Sequence, residues 1–253
     1  MPNLLKAKLQ SGAVCLNGWS QLPSASVMEQ FAQAGWDSIL IDLQHGLHDY
    51  ASALACLQTL AAYPVTPLAR PPWYEPGIIG KLLDAGAWGI VCPMTNTAAD
   101  ARALVKACCY PPLGERSNGP VRAGLHVGAA AYQATANQEV LILPQVETIT
   151  AFENLDAILD VEGVGGIYVG PTDLGLSMGL PPTMDRDEPA ILAIYEKLVE
   201  GCARRGLVAG MHCASPAYAN RMIEMGFKLI TVATDISLLA NGAKAVVKAV
   251  KTG

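Results

Sequence analysis

Short apolar segments recur along the chain, and most of the gaps between them are long enough to hold a helix. Eight of these segments have the length and composition of strands: Ala13–Asn17, Ser38–Leu43, Thr66–Ala69, Gly89–Cys92, Leu141–Val146, Gly166–Gly170, Leu207–Met211 and Leu229–Ala233. Strands that alternate with helices form parallel sheets, so this order predicts an α/β fold. Eight such units within 253 residues favour a closed (β/α)₈ barrel, or TIM barrel, over an open sheet. We expect one domain over residues 1–253.

Segments with helical spacing of apolar positions fill several of the gaps. Four of them stop before a glycine, the residue that most often follows a helix: Ser24–Ala34, Pro76–Ala85, Glu188–Arg205 and Ser215–Met225. Another helix is expected over Ile149–Leu159. The tail Ile236–Val250 is expected to be a helix with one apolar side, formed by Leu239, Ala243, Val246 and Val250. The Pro- and Gly-rich segment Tyr110–Ala129 predicts a long loop that serves function or contact.

Composition narrows the class of protein. With 51% hydrophobic and only 15% charged residues, the chain predicts a large core plus apolar surface buried between subunits. A net charge of −5 without a basic cluster argues against binding of nucleic acid. No apolar run approaches the 18 or so residues that a membrane span needs, so we expect no membrane partner. The seven cysteines lack CxxC spacing and predict reduced core residues of a cytoplasmic protein.

Two acidic residues follow neighbouring strands. Glu147 comes directly after Leu141–Val146, and Asp173 lies three residues beyond Gly166–Gly170. The C-terminal ends of barrel strands carry the chemistry of this fold, so both carboxylates are expected at one opening. Hard oxygen ligands in that position suit Mg²⁺ or Mn²⁺, whereas an isolated pair of acids would more often be solvated.

Further polar residues follow other strands. Asp42 and His45 end the second strand, where the carboxylate would hold the imidazole in one tautomer as a general base; an isolated histidine here would more often be a loop or core residue. Arg70 ends the third strand, next to two prolines, where it would bind a substrate carboxylate or, as the alternative, form a surface ion pair. Gln145 would donate to a substrate oxygen, and Gly170 would let a ligand approach backbone N–H groups. Convergence of several such residues on one rim predicts an enzyme.

The segments WDSILIDLQH, RPPW, QVET and YVGPTDL occur here in one order and spacing, together with KLLDAGAWGIVCPM and YPPLGER. Over essentially the whole chain, this set resembles the HpcH/HpaI family of metal-dependent (class II) pyruvate aldolases. The resemblance implies a (β/α)₈ barrel of the phosphoenolpyruvate/pyruvate type, with the C-terminal helix exchanged between subunits. It also implies a homo-hexamer built as a trimer of dimers.

The resemblance also implies roles for individual residues. Glu147 and Asp173 match metal ligands, Arg70 the arginine that stabilises an enolate oxygen, and His45 a catalytic base supported by Asp42. Asp84 matches an acid that reaches the site of the neighbouring subunit. The remaining matches are to positions near pyruvate, the glycine and threonine through their backbone: Gln145, Gly170, Thr172 and Trp19.

Some residues depart from the family pattern or lie in the long loop. His212 stands where an aliphatic residue is usual, and is either a polar contact to the aldehyde partner or a tolerated rim residue. Arg116 and Arg122 are expected at the surface, although an acidic acceptor is an alternative partner. His48 and His126 are expected to be loop residues, and His126 could approach the acceptor.

The implied activity is reversible retro-aldol cleavage of 4-hydroxy-2-oxo acids to pyruvate and an aldehyde. The substrates are of the 4-hydroxy-2-oxoheptanedioate or 2-keto-3-deoxy sugar acid type, and Mg²⁺ or Mn²⁺ is expected, with Co²⁺ or Zn²⁺ open. A Schiff-base route is disfavoured because the lysines fall in or beside predicted helices. The alternatives are a lyase of the citrate-lyase-β or malyl-CoA-lyase type and a catalytically silent barrel that binds ketoacids.

Overall fold

The structure, a computed structural model, describes residues 3–125 and 127–251 and shows a closed barrel of eight parallel strands. The strands are β1 (Cys15–Ser20), β2 (Ser38–Asp42), β3 (Thr66–Arg70), β4 (Gly89–Cys92), β5 (Leu141–Val146), β6 (Gly166–Val169), β7 (Val208–His212) and β8 (Leu229–Thr234). Each pairs with the next, and β8 closes on β1. The predicted (β/α)₈ barrel is therefore confirmed. The loop residue His126 lies outside the described residues.

Helices surround the barrel and connect its strands. They are α1 (Leu4–Gln10), α2 (Ala25–Ala32), α3 (Tyr50–Leu60), α4 (Pro76–Asp84), α5 (Ala98–Cys108), α6 (Ala129–Glu139), α7 (Ile149–Glu153), α8 (Leu155–Leu159), α9 (Pro171–Ser177), α10 (Pro189–Ala203), α11 (Pro216–Met225) and α12 (Asp235–Lys251). The single helix predicted over Ile149–Leu159 is two helices that meet at Asn154. The side-chain amide of Asn154 donates to the carbonyls of Asn96 and Thr150, which fixes the break.

The first strand lies two to three residues further along the chain than the apolar pattern predicts. It runs from Cys15 to Ser20 because Cys15 pairs with Leu229 of β8 and Ser20 pairs with Ile41 of β2. Apolar character is a poor guide here, since polar side chains occupy part of the barrel interior. Asn17, for example, donates to the Thr231 hydroxyl from its side-chain amide.

Apolar side chains fill the space inside the barrel and between its outer face and the helices. Leu40, Leu68, Val91, Leu143 and Leu229 belong to the inner cluster. Two larger clusters pack the surrounding helices against the strands. All seven cysteines are buried and unpaired, as the sequence predicts: Cys15, Cys56, Cys92, Cys108, Cys109, Cys202 and Cys213.

The C-terminal helix α12 presents apolar side chains to solvent in the single chain. Leu239, Val246 and Val250 are 64, 65 and 77% exposed. Leu16, on β1, is also 39% exposed. Apolar area of this kind is typical of surface that another subunit covers. Within the described part of the chain, no helix combines the length and hydropathy needed to cross a membrane.

Candidate active site

The C-terminal ends of the strands surround a cavity of about 470 Å³. Eight of the predicted site residues line it: Trp19, His45, Arg70, Gln145, Gly170, Thr172, Asp173 and His212. Two more contact this set from behind, Asp42 through Arg70 and Glu147 through Gln145. The barrel thus brings together side chains that are far apart in sequence, because all of them follow or end strands whose C-terminal ends share one rim.

Glu147 is buried and both of its carboxylate oxygens accept hydrogen bonds. The Met94 backbone N–H donates to Oε1 at 2.7 Å, and the Gln145 amide donates to Oε2 at 2.5 Å. Gly170 leaves room for this arrangement, since a Cβ there would lie 2.6 Å from Glu147 Oε2. Burial raises the pKa of Glu147, the Met94 N–H opposes that shift, and the negative charge of Asp173 adds to it.

Met94 has a backbone conformation that is rare for its residue type. Its φ is +53°, in the left-handed region that favours glycine, asparagine and aspartate. Such strain costs about 1–3 kcal/mol and persists where the surroundings impose it. Here it accompanies a backbone N–H that donates to Glu147. Met94 could not be identified from the sequence, because nothing in its residue type indicates this conformation.

Asp173 lies in the first turn of α9, and its side chain is exposed at the cavity. Its carboxylate makes no hydrogen bond or ion pair to residues that the structure describes. Its charge is nevertheless close enough to Glu147 to raise the pKa of that residue.

These two carboxylates and their surroundings fit a divalent cation. The side-chain oxygen of Gln145 is buried and has no partner among the described residues, so a further hard oxygen is available beside Glu147. Over residues 3–125 and 127–251, no group of three or more His, Cys, Asp or Glu side chains is placed to hold a metal. A cation here would therefore depend on two carboxylates plus water and substrate, as Mg²⁺ sites commonly do.

Arg70 is held by Asp42. Arg70 Nε donates to Oδ1 at 2.8 Å and Nη2 donates to Oδ2 at 2.7 Å, which is a bidentate pair. The Trp19 indole N–H donates to the same carboxylate at 3.1 Å, and the guanidinium lies 4.7 Å from the Trp19 ring centroid. Burial alone would raise the pKa of Asp42, but the hydrogen bonds and charge of Arg70 lower it overall. Asp42 is thus a buried anion that orients the guanidinium.

The predicted support of the His45 imidazole by Asp42 is wrong in this geometry. Asp42 accepts hydrogen bonds from the backbone N–H groups of Gln44 and His45, at 3.0 and 3.3 Å, and from Arg70. Both carboxylate oxygens of Asp42 are therefore already hydrogen-bonded to groups other than the His45 imidazole. The His45 side chain is exposed at the cavity and has no hydrogen-bond partner among the described residues.

Gly170 does not offer its backbone N–H to a ligand, contrary to expectation, because that group donates to the Val146 carbonyl at 3.2 Å. The N–H of Thr172, in the first turn of α9, has no partner among the described residues. The Thr172 hydroxyl points to the Met184 sulfur at 3.9 Å. Met184, from the long segment after α9, also lines the cavity, and no pattern in the sequence had indicated it.

His212 ends β7 and lines the cavity next to Trp19. The two rings meet edge to face, with centroids 4.8 Å apart. Burial, aided by the positive charge of Arg70, lowers the pKa of His212 to about 4. A neutral imidazole therefore stands in the wall of the cavity, which leaves both interpretations of His212 open.

Asp84 lies outside this cavity. Its carboxylate pairs with Arg116 at 2.6 Å, and burial raises its pKa although Arg116 opposes the shift. Arg116 is itself buried, stacked 4.5 Å from the Tyr110 ring centroid, so the surface position expected for it is wrong. Arg122 is half-buried and donates to the carbonyls of Leu57 and Ala85 at the ends of two helices.

His48 lies in the loop between β2 and α3, as expected, and its side chain is buried there. Its Nε2 lies 3.2 Å from the Ser20 hydroxyl and its Nδ1 lies 3.3 Å from the Ser52 hydroxyl. Ser20 in turn donates to Asp235, the first residue of α12. The histidine therefore joins the end of β1 to the first turn of α3, and Ser20 extends this network to the start of the last helix.

Comparison with known proteins agrees with the geometry. A family model for HpcH/HpaI aldolase/citrate lyase matches residues 17–242. The hydroxypyruvate/pyruvate aldolase of Rhizorhabdus wittichii is 36% identical over 97% of both chains. The 4-hydroxy-2-oxo-heptane-1,7-dioate aldolase of Escherichia coli is 36% identical over 97% of this chain and 94% of its own. A crystal structure of an HpcH/HpaI aldolase/citrate lyase family protein from Burkholderia cenocepacia superposes with a TM-score of 0.90 at 30% identity, covering 98 and 99% of the two chains.

The resemblance seen in the sequence is thereby confirmed, and with it the prediction of a carbon–carbon lyase. The chain belongs to the HpcH/HpaI aldolase/citrate lyase family.

Proposed function

We propose that this protein is a divalent-metal-dependent aldolase that cleaves 4-hydroxy-2-oxo acids reversibly to pyruvate and an aldehyde. The observation that supports it best is the cavity itself, which Asp173 and Arg70 line, with Arg70 fixed by a bidentate ion pair. The Glu147 carboxylate lies behind Gln145, close enough to interact with the charges of both Asp173 and Arg70. Two curated relatives are named as aldolases of pyruvate or of a 4-hydroxy-2-oxo dicarboxylic acid, which is the same class of substrate.

Glu147 and Asp173 would hold the cation, Mg²⁺ or Mn²⁺, with Co²⁺ or Zn²⁺ as alternatives. A bound cation of this kind supplies a Lewis acid for the 2-keto oxygen. The protein's contribution is to keep Glu147 ionised, although burial disfavours its charge. The Met94 and Gln145 N–H groups favour the ionised form, against the effect of burial, because both donate to its oxygens.

Arg70 would bind the oxygen on which enolate charge develops during cleavage. Asp42 occupies Nε and one hydrogen of Nη2, whereas Nη1 has no hydrogen-bond partner among the described residues. A donor fixed before the reaction stabilises developing charge without reorganisation. Stabilisation that is stronger in the transition state than in the bound substrate raises the rate of C3–C4 cleavage.

His45 would accept the 4-hydroxyl proton, directly or through water, and return it in the aldol direction. Its exposure at the cavity leaves the imidazole accessible to the acceptor end of a substrate. Gln145 and the Thr172 N–H would orient pyruvate, and Trp19 would form part of the cavity wall. Asp84 would act at a neighbouring subunit, since its own chain places it outside this cavity.

The chain would assemble as a homo-hexamer of exchanged dimers. The exposed apolar side of α12 and the partly exposed Leu16 support an exchanged C-terminal helix, because each needs a cover that its own chain does not supply. Unpaired, buried cysteines support a reducing compartment such as the cytoplasm.

The test is aldol addition by purified protein with Mn²⁺ or Mg²⁺, pyruvate and a panel of aldehydes, with product detected by NMR. We expect carbon–carbon bond formation that EDTA abolishes and that Asp173→Asn lowers strongly, because this change removes one of the two charged ligands of the Lewis acid. Glu162→Gln, at an exposed carboxylate before β6 on the opposite end of the barrel, is the matched charge control. Full activity in EDTA would refute the metal assignment. Pyruvate binding without product would indicate a silent barrel, and turnover of acyl-CoA substrates alone would indicate a CoA-dependent lyase.

A further inference from the structure

Arg186, in the segment between α9 and α10, is a buried cation that joins several elements behind the cavity. Its side chain is almost completely buried, with 1% of the residue exposed. Nε donates to the Pro171 carbonyl at 3.1 Å, Nη1 donates to Glu188 at 2.7 Å, and Nη2 donates to the Pro181 carbonyl. The guanidinium therefore binds the start of α9, the turn that follows α9 and the start of α10.

Gly175, inside α9, leaves space for this guanidinium. A Cβ at position 175 would overlap the guanidinium atoms of Arg186. Glycine inside a helix costs about 1 kcal/mol relative to alanine, so its presence in so short a helix needs a reason. Close approach of Arg186 to the helix supplies that reason.

Stability alone is a weak explanation for Arg186. A buried guanidinium loses its hydration, and replacing a buried ion pair with apolar side chains is often neutral or stabilising. The guanidinium instead fixes orientation, because its planar set of N–H donors can bond to the three surrounding oxygens in only one arrangement.

The two acidic residues of the proposed metal site differ in how they are held. Glu147 is fixed directly, because both of its oxygens accept hydrogen bonds. The Asp173 carboxylate has no such partner among the described residues, so its place is set only by the backbone of α9. That helix has seven residues, too few to be stable by itself. Leu174 anchors one side of it in the core, and Arg186 anchors its first turn.

We propose that Arg186 is a positioning residue that orients α9, and through it Asp173, for binding of a divalent cation. This inference depends on the proposed function, since it takes Asp173 as a ligand. Loss of a residue that orients a metal ligand typically lowers metal affinity 10- to 100-fold.

The experiment measures Mn²⁺ affinity by EPR, and amide hydrogen exchange over residues 171–177 without metal, for Arg186→Met, Arg186→Lys and Gly175→Ala. Arg122→Met is the matched control, because that guanidinium also donates to two carbonyls but at helix ends away from the cavity. We expect a 10- to 100-fold loss of Mn²⁺ affinity in Arg186→Met, a smaller loss in Arg186→Lys, and faster exchange over residues 171–177. Arg122→Met should change neither quantity.

Gly175→Ala perturbs the same contact from the other side and keeps the inference testable if Arg186→Met does not fold. It should weaken Mn²⁺ binding while Arg186 is present, and add little in the double variant with Arg186→Met. Wild-type affinity within twofold in both Arg186→Lys and Gly175→Ala would overturn the inference and leave the proposed function intact. Absence of Mn²⁺ binding by the wild-type protein would refute the metal assignment itself, and this inference with it.

Discussion

Replacing Asp42 by asparagine tests whether this carboxylate acts through Arg70 or through His45. The side chains are nearly equal in size, but asparagine is neutral and can accept at one oxygen only. In the wild-type protein, five N–H groups converge on the two carboxylate oxygens, from Arg70, Trp19 and the backbone of residues 44 and 45. Asp42→Asn therefore leaves the Arg70 guanidinium buried without a countercharge.

The magnitude follows from the burial of this pair. Asp42 is fully buried and the Arg70 side chain is 9% exposed, so solvent screens their interaction little. Breaking one partner of a buried ion pair costs about 3–5 kcal/mol of unfolding free energy. If Arg70 turns away from the enolate oxygen as a result, turnover should also fall by about 10²–10³, the usual loss for one donor to a developing oxyanion.

A pair of double-mutant cycles provides the assay, with the rate of aldol cleavage as the measured quantity. Adding Asp42→Asn to Arg70→Met should lower kcat/KM little further, because the carboxylate acts through the guanidinium. Adding Asp42→Asn to His45→Ala should lower kcat/KM by the same factor as Asp42→Asn alone, so that the double variant differs from wild type by the product of the two separate effects. The opposite result would be coupling of Asp42 to His45 and independence of Asp42 from Arg70. It would refute the role assigned to the Asp42–Arg70 ion pair and support pairing of Asp42 with the His45 imidazole.

Three further predictions concern His212, Met94 and α12. Because burial lowers the pKa of His212 from 6.5 to about 4, the unfolded chain binds more protons between these values, and stability is lost as pH falls through that window. Between pH 7 and pH 5, the unfolding free energy of the wild-type protein should fall by about 2 kcal/mol more than that of His212→Leu, as measured by urea unfolding. An equal pH dependence of the two proteins would contradict this. Met94→Asn should retain stability and Mn²⁺ affinity, whereas the β-branched Met94→Val should lose about 1–3 kcal/mol of unfolding free energy and weaken Mn²⁺ binding. Leu239→Glu should reduce the mass measured by light scattering to that of smaller assemblies, and Lys244→Glu, a charge change on the same helix, should not.

The architecture and most of the cavity could be predicted from the sequence because both follow from simple periodicities. Apolar strands that alternate with helices specify the barrel, and polar residues at strand ends must meet at its rim. That is why the sequence is sufficient to assign Arg70, Gln145 and Asp173 to one cavity.

The remaining details depend on directions that sequence spacing does not carry. Asp42 and His45 are three residues apart, which suggested a pair, yet the carboxylate points to the adjacent strand and binds Arg70. Gly170 appeared free to bind a ligand, but strand pairing uses its N–H. Met94 and Arg186 act through a backbone angle and a buried side chain, and neither leaves a pattern in residue type.

The buried cysteine thiols can report local unfolding of the barrel, because they react only when they become exposed. Burial raises the pKa of Cys92, Cys202 and Cys213 to about 12, so the reactive thiolate is scarce as well as inaccessible. The rate of alkylation at each cysteine would consequently report how often the surrounding part of the barrel opens. Labelling followed by peptide mass analysis would then rank the regions of the barrel by the frequency of their local unfolding.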